Sequence, residues 1–133
     1  VWSSATVSGI AIRDFCDELG IVFTREQMDE IVREVKNSAY EIIEKKGATF
    51  YAVALAIRRI AEALIRDEHS LLTVSGYCSE AYEIEDVCIG LPMILSREGI
   101  ENIVEIPLNQ LEKDNLHESA DALKKVLTDM GIN

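Results

Sequence analysis

The 133-residue chain carries thirteen basic against twenty-four acidic residues, a formal net charge of -11. That excess repels phosphate backbones and anionic lipid surfaces, so nucleic-acid and membrane partners are disfavoured, and an anionic ligand must be held by local groups that overcome the field. With 48% apolar residues and two prolines, the chain has the length and composition of one domain with a real core.

Cys16, Cys78 and Cys88 are odd in number and lack Cys-x-x-Cys spacing, which suggests neither a disulfide framework nor a zinc site and makes a reducing compartment, the cytoplasm, the default. No apolar run approaches the roughly 18 to 20 residues that span a bilayer, and no signal peptide is visible. Val1-Trp2-Ser3-Ser4-Ala5 has no initiator Met and places a Trp where a frayed end is usual, so we read it as cut from a longer chain.

In chain order, Thr6 to Ile12 is β-tending and punctuated by Gly9, a strand or extended segment leading to a loop around Asp14 to Gly20. Thr24-Arg25-Glu26-Gln27 has the form of a capping box, and Met28, Ile31, Val32, Val35, Ala39, Ile42 and Ile43 follow at steps of three and four, an amphipathic helix over about residues 25 to 46. Gly47 suits a left-handed cap at its end. From Ala48 to Ile65 nearly every position is apolar and Ala-rich, which predicts a helix buried on most of its circumference. Thr49 falls in its first turn, where unpaired amides and the helix dipole favour an anion, so its hydroxyl is placed to help hold a small carboxylate.

Beyond the polar break Asp67-Glu68-His69-Ser70, three runs read as strands: Leu71–Ser75, Val87–Leu95 and Ile103–Ile106. Their short connections predict antiparallel pairing, and Pro92 argues for an edge or a bulge. Asn109-Gln110-Leu111-Glu112 then starts a terminal amphipathic helix along Leu116, Ala120, Leu123, Leu127 and Met130, ending near Gly131. Segregated helices and strands indicate an α+β fold, long helices packed on a mostly antiparallel sheet. No Gly-rich phosphate loop is present, so the chain binds no dinucleotide on its own and contains no Rossmann domain.

Trp2-Ser3-Ser4-Ala5, Ser38-Ala39-Tyr40-Glu41-Ile42-Ile43, Lys46-Gly47-Ala48-Thr49, Asp86-Val87-Cys88-Ile89-Gly90-Leu91-Pro92 and Ile103-Val104-Glu105-Ile106-Pro107-Leu108 together resemble successive signatures of the L-lactate dehydrogenases, in that family's order and spacing, from Val1 to about Gly131. The resemblance implies, over residues 1 to 133, the C-terminal, substrate-side domain of an NAD-dependent 2-hydroxyacid dehydrogenase, truncated just after the catalytic His segment. It implies interconversion of L-lactate and pyruvate in an intact, usually tetrameric enzyme joined to an N-terminal Rossmann domain. Malate dehydrogenase of the same superfamily is one alternative, and a stand-alone, non-catalytic acidic oligomerisation module is another.

By the same resemblance, hydride passes between C2 of lactate and the nicotinamide while a His oriented by an Asp takes the hydroxyl proton and an Arg clamps the carboxylate. Those residues fall before Val1, so no catalytic residue is expected in this chain, which alone is expected to be inactive. Thr49 matches the position lining the substrate pocket near the carboxylate and C3 group. Val53 matches the apolar residue against the nicotinamide ring, and Ser38 and Ala39 match small residues on the helix closing over the pocket. His69 and His117 are expected to be ordinary surface residues, and the acidic groups Glu83-Glu85-Asp86 and Glu98-Glu101-Glu105 solvated faces with no metal. Where many family members carry Gly-x-Tyr-Gly-Ile, this chain has Glu80-Ala81-Tyr82-Glu83-Ile84, so that turn is expected to differ, at a cost in stability.

Overall fold

The structure, a computed structural model, describes Val1–Ile132. It divides into two units, one of Trp2 and Ser4–Arg58, the other of Val1, Ser3 and the residues from Arg59 onward.

In the first unit, β1 (Thr6–Val7) pairs antiparallel with β2 (Ile10–Ala11) around Ser8 and Gly9, both at positive φ. Two positive-φ residues give a two-residue turn whose twist matches its strands, so the expected extended segment is folded back as a hairpin. The expected loop at Asp14–Gly20 is instead mostly helical, α1 (Ile12–Glu18). Ile12, Phe15 and Cys16 carry an i, i+3, i+4 apolar pattern that the neighbouring acids obscure, and Cys16 is buried. Trp2 is held rather than frayed, its ring meeting Phe23 edge-on at 5.4 Å.

Helix α2 (Arg25–Lys46) forms as the capping box predicts: Thr24 Oγ1 accepts from the Gln27 amide at 3.3 Å and Gln27 Oε1 accepts from the Thr24 amide at 2.9 Å. Gly47 closes it at φ 79°, its amide donating to the Ile43 carbonyl at 2.7 Å. Helix α3 (Tyr51–Arg66) begins later than Ala48, because the Phe50 carbonyl takes the first helical bond, from the Ala54 amide at 2.8 Å. The expectation of near-complete burial is corrected. Only Ala63 of α3 is buried, while Val53, Leu55, Ile57 and Ile65 are exposed, because among the described residues cover reaches α3 only around Ile60, Ala63 and Leu64.

The second unit is built on an antiparallel sheet in the order β3 (Ser70–Cys78), β4 (Val87–Ser96), β5 (Gly99–Ile103). The β3–β4 register runs from Ser70 opposite Leu95 to Cys78 opposite Val87. Val87, Ile89, Leu91, Met93 and Leu95 alternate inward along β4 and meet Cys78, Tyr82, Ile84 and Ala120, with Ile60, Leu64 and Leu116 packed against them. Each large side chain so covered contributes about 1.5–3 kcal/mol.

The third strand lies earlier than Ile103–Ile106, because Ser96 pairs with Gly99 across a two-residue turn, with Gly99 at φ 107°. Val104 extends the pairing by one bond, donating to the Pro92 carbonyl at 2.8 Å. Pro92 is therefore at neither an edge nor a bulge. It sits in the central strand where its missing amide would face the end of the β5 ladder, and the bulge lies further on at Ile94/Leu95.

Between β3 and β4, Ala81–Glu83 forms a 3-10 turn with Tyr82 and Glu83 at φ 55° and 62°, so Glu83 takes a left-handed conformation that suits glycine. Helix α4 (Gln110–Asp129) opens with a second capping box, Asn109 with Glu112, and ends at Met130 and Gly131 as its pattern predicts. The α+β class is as expected, with α4 and the end of α3 packed on the antiparallel sheet.

Candidate functional site

The four residues singled out by resemblance all lie in the first unit. Ser38 and Ala39 stand exposed in the second half of α2, and the Ser38 hydroxyl donates to its own helix at the Val35 carbonyl, 2.7 Å. They leave a surface of low bulk, with Tyr40 exposed beside them. Thr49 is half-buried, one residue before the Phe50 cap rather than inside the first turn. Among the described residues no hydrogen bond occupies its hydroxyl. The following amides of Tyr51, Ala52 and Val53 have no partner within the helix, and the dipole makes this end electropositive.

Val53 is 48% exposed, an uncovered β-branched side chain four residues after Thr49. Phe50 and Tyr51, just before it in the chain, are both exposed, their rings perpendicular at 6.3 Å. A hydroxyl and free amides next to an apolar wall suit a small carboxylate with an apolar or aromatic neighbour. Among the described residues no hydrogen bond joins Ser38 or Ala39 to Thr49 or Val53.

Two features of the second unit escaped sequence reasoning. His69 Nδ1 lies 2.9 Å from Glu101 Oε2 and His69 Nε2 3.7 Å from Asp67 Oδ1. The Glu101 hydrogen bond and charge, with a smaller contribution from Asp67, hold the imidazole above its ordinary pKa, and His69 lowers that of Glu101 in turn. This His–carboxylate pair is exposed, and its partners are 32 residues apart in sequence, so no local motif announces it. The second is a cavity of about 810 Å³ with Glu80, Glu83, Glu105, Asp114 and His117 in its walls. Among the described residues no three His, Cys, Asp or Glu side chains stand where they could hold a metal ion.

A family model for the lactate/malate dehydrogenase alpha/beta C-terminal domain matches residues 1–131. The chain belongs to this family. It is 45% identical over 126 residues to L-lactate dehydrogenase 1 of Clostridium acetobutylicum, a match covering 95% of this chain and 40% of that protein. The crystal structure of a lactate dehydrogenase from a Medee basin deep-sea metagenome library matches with a TM-score of 0.91 at 37% identity, over 98% of this chain and 41% of the other. Malate dehydrogenase of Cryptosporidium parvum matches with a TM-score of 0.88 at 28% identity, over 98% and 42%. The chain thus spans about two fifths of the length of the relatives it matches. Both the resemblance read from the separated motifs and the C-terminal-domain fold of this dehydrogenase family are as expected.

Proposed function

We propose that the chain is the substrate-side domain of an NAD-dependent L-lactate dehydrogenase that interconverts L-lactate and pyruvate in the intact protein. The observation that carries the reading is the start of α3, where Thr49, whose hydroxyl has no hydrogen-bond partner among the described residues, comes four positions before the uncovered apolar side chain of Val53, in a chain 45% identical to a lactate dehydrogenase. Identities of 45% and 37% to two lactate dehydrogenases, against 28% to the malate dehydrogenase of Cryptosporidium parvum, favour lactate.

Thr49 and the first amides of α3 help hold the carboxylate, Ser38 and Ala39 limit the bulk at C3, and Val53 keeps water from the hydride path. The residues fit only part of the cofactor. Val53 offers an apolar wall to a flat ring, while nothing in the sequence cradles phosphates, so the rest of NAD is held outside this chain. When bound, its nicotinamide accepts or returns the hydride. The proton carrier and the carboxylate clamp also belong to polypeptide outside residues 1–133, and this chain contributes binding and exclusion.

The exposed apolar side chains of α2 (Ile31, Val35, Ile42) and of α3 (Leu55, Ile57) support cover by an N-terminal Rossmann domain and by further copies in a homotetramer. Three unpaired cysteines support a cytoplasmic setting. Replacing Thr49 with Gly in the full-length protein tests the site: pyruvate turnover should fall, and discrimination against larger 2-oxoacids should loosen. Unchanged kcat/KM for pyruvate and for 2-oxobutyrate would remove Thr49 from it.

A further inference from the structure

The carboxylate of Glu112 has a second task besides capping α4. Its Oε2 accepts from the Asn109 amide at 3.1 Å, which completes the capping box. The same carboxylate reaches 109 positions back along the chain: Oε1 accepts from the Ser3 amide at 3.0 Å, and Oε2 accepts from the Ser3 hydroxyl, which also lies 3.3 Å from the Pro107 carbonyl. Helix capping alone calls for none of the bonds to Ser3. A carboxylate that accepts two backbone amides and a hydroxyl from two distant segments fixes one against the other, and such charge-assisted bonds are about twice as strong as neutral ones.

We propose that Glu112 is a positioning residue. It anchors the backbone at Ser3 to the start of α4, and so fixes the direction in which the polypeptide leading to the proton carrier enters this domain. The catalytic consequence rests on the lactate dehydrogenase reading above, whereas the tie itself rests on the three bonds. Glu112 acts through Ser3, and a displacement of about 1 Å at a reacting group costs on the order of a hundredfold in rate.

The test uses the full-length protein and two variants that separate the two tasks. Asn109→Ala removes the other half of the capping box and leaves the Ser3 contacts, whereas Glu112→Ala removes both. Glu112→Ala should lower kcat by roughly tenfold or more with KM for pyruvate changed less than about twofold, a loss confined to the chemical step. Asn109→Ala should lower Tm comparably while leaving kcat within about twofold of the parent.

Ser3→Ala combined with Glu112→Ala should be no slower than Glu112→Ala alone, because the two side chains act as one unit. Equal loss of kcat in Asn109→Ala and Glu112→Ala, or a Glu112→Ala variant altered only in Tm, would overturn the proposal. Hydrogen exchange at the Ser3 amide gives a readout independent of turnover. Protection lost in Glu112→Ala and kept in Asn109→Ala supports the tie even if the parent fails to interconvert lactate and pyruvate, a result that would defeat the lactate reading alone. Unchanged Ser3 protection in Glu112→Ala defeats the tie.

Discussion

Gly76 lies in β3 opposite Ile89, and its backbone is ordinary strand, so what forbids a side chain there is space. A Cβ at this position would stand 2.4 Å from Ile100 Cδ1, 2.8 Å from Met93 Sδ and 3.0 Å from Met93 Cε. Carbon atoms rest at about 3.5–4.0 Å, so Ile100 must retreat by more than about 1 Å and Met93 by somewhat less. The two differ in freedom. Ile100 is 45% exposed and can turn into solvent, whereas Met93 is fully buried among Leu91, Leu95 and the rest of the core and can move only by displacing neighbours. Overpacking of this kind costs about 1–3 kcal/mol. Replacing Gly by Ala in a strand returns about 0.5–1 kcal/mol, so Gly76→Ala should destabilise by up to about 2.5 kcal/mol. Urea unfolding should show a lower midpoint at unchanged m-value. Introducing Ile100→Ala alongside should reduce that cost without abolishing it, since the Met93 contact remains. A Gly76→Ala protein more stable than the parent would refute the claim that Met93 is locked.

Tyr82 is buried, its hydroxyl accepting from the Ile106 amide at 2.6 Å and donating to the Ile106 carbonyl at 3.2 Å, so Tyr82→Phe leaves both groups short of a partner and should cost about 1–3 kcal/mol, read from the same unfolding curves. Glu83→Gly should instead stabilise the protein by about 0.5–1 kcal/mol, because φ 62° costs an L-residue more than glycine's extra chain entropy; a lower Tm would contradict it. His69 has a folded pKa raised above its ordinary value near 6.5, so the stability it lends is fully present below that value and is lost as pH rises through the folded pKa. His69→Gln should flatten that part of the pH–stability profile, and salt should weaken the parent's dependence because the pair is exposed. An NMR titration placing His69 at or below 6.5 would count against the pairing.

What could be read in advance was what neighbours in sequence decide. The Thr24–Gln27 capping box, the helix start at Asn109–Glu112 and the Gly47 cap each close within four residues, and each formed as its pattern predicts. The failures share a different cause. Ile103-Val104-Glu105-Ile106 has the composition of a strand, yet the position of β5 is set by the Arg97-Glu98 turn and by Gly99 at φ 107°, which start the ladder four residues sooner. Pro92 looks forbidden in a central strand until the end of the neighbouring ladder is known. Around Asp14, acidic residues that suit a turn also suit the first turn of a helix, and the apolar spacing of Ile12, Phe15 and Cys16 decides between them.

Around the candidate site the structure departs from the sequence expectation, and α3 shows why. Its apolar circumference was read as burial, whereas composition reports only the surface that a helix needs covered and says nothing of which polypeptide covers it. Residues Ile60, Ala63 and Leu64 find that cover on the sheet of the second unit, while Val53, Leu55 and Ile57 do not. An apolar stripe that is satisfied at one end and open at the other divides the helix into a structural half and a half available for contact. Thr49 and Val53, the residues proposed to line the site, lie at this open end, where the helix dipole and amides without a partner in the helix favour an anion. Under the proposed function, a chain with net charge -11 needs such a local reversal of field to hold an anionic substrate. Placing part of it at a helix start adds to the carboxylate clamp proposed outside residues 1–133, and it leaves the exposed Val53 side chain four residues after Thr49.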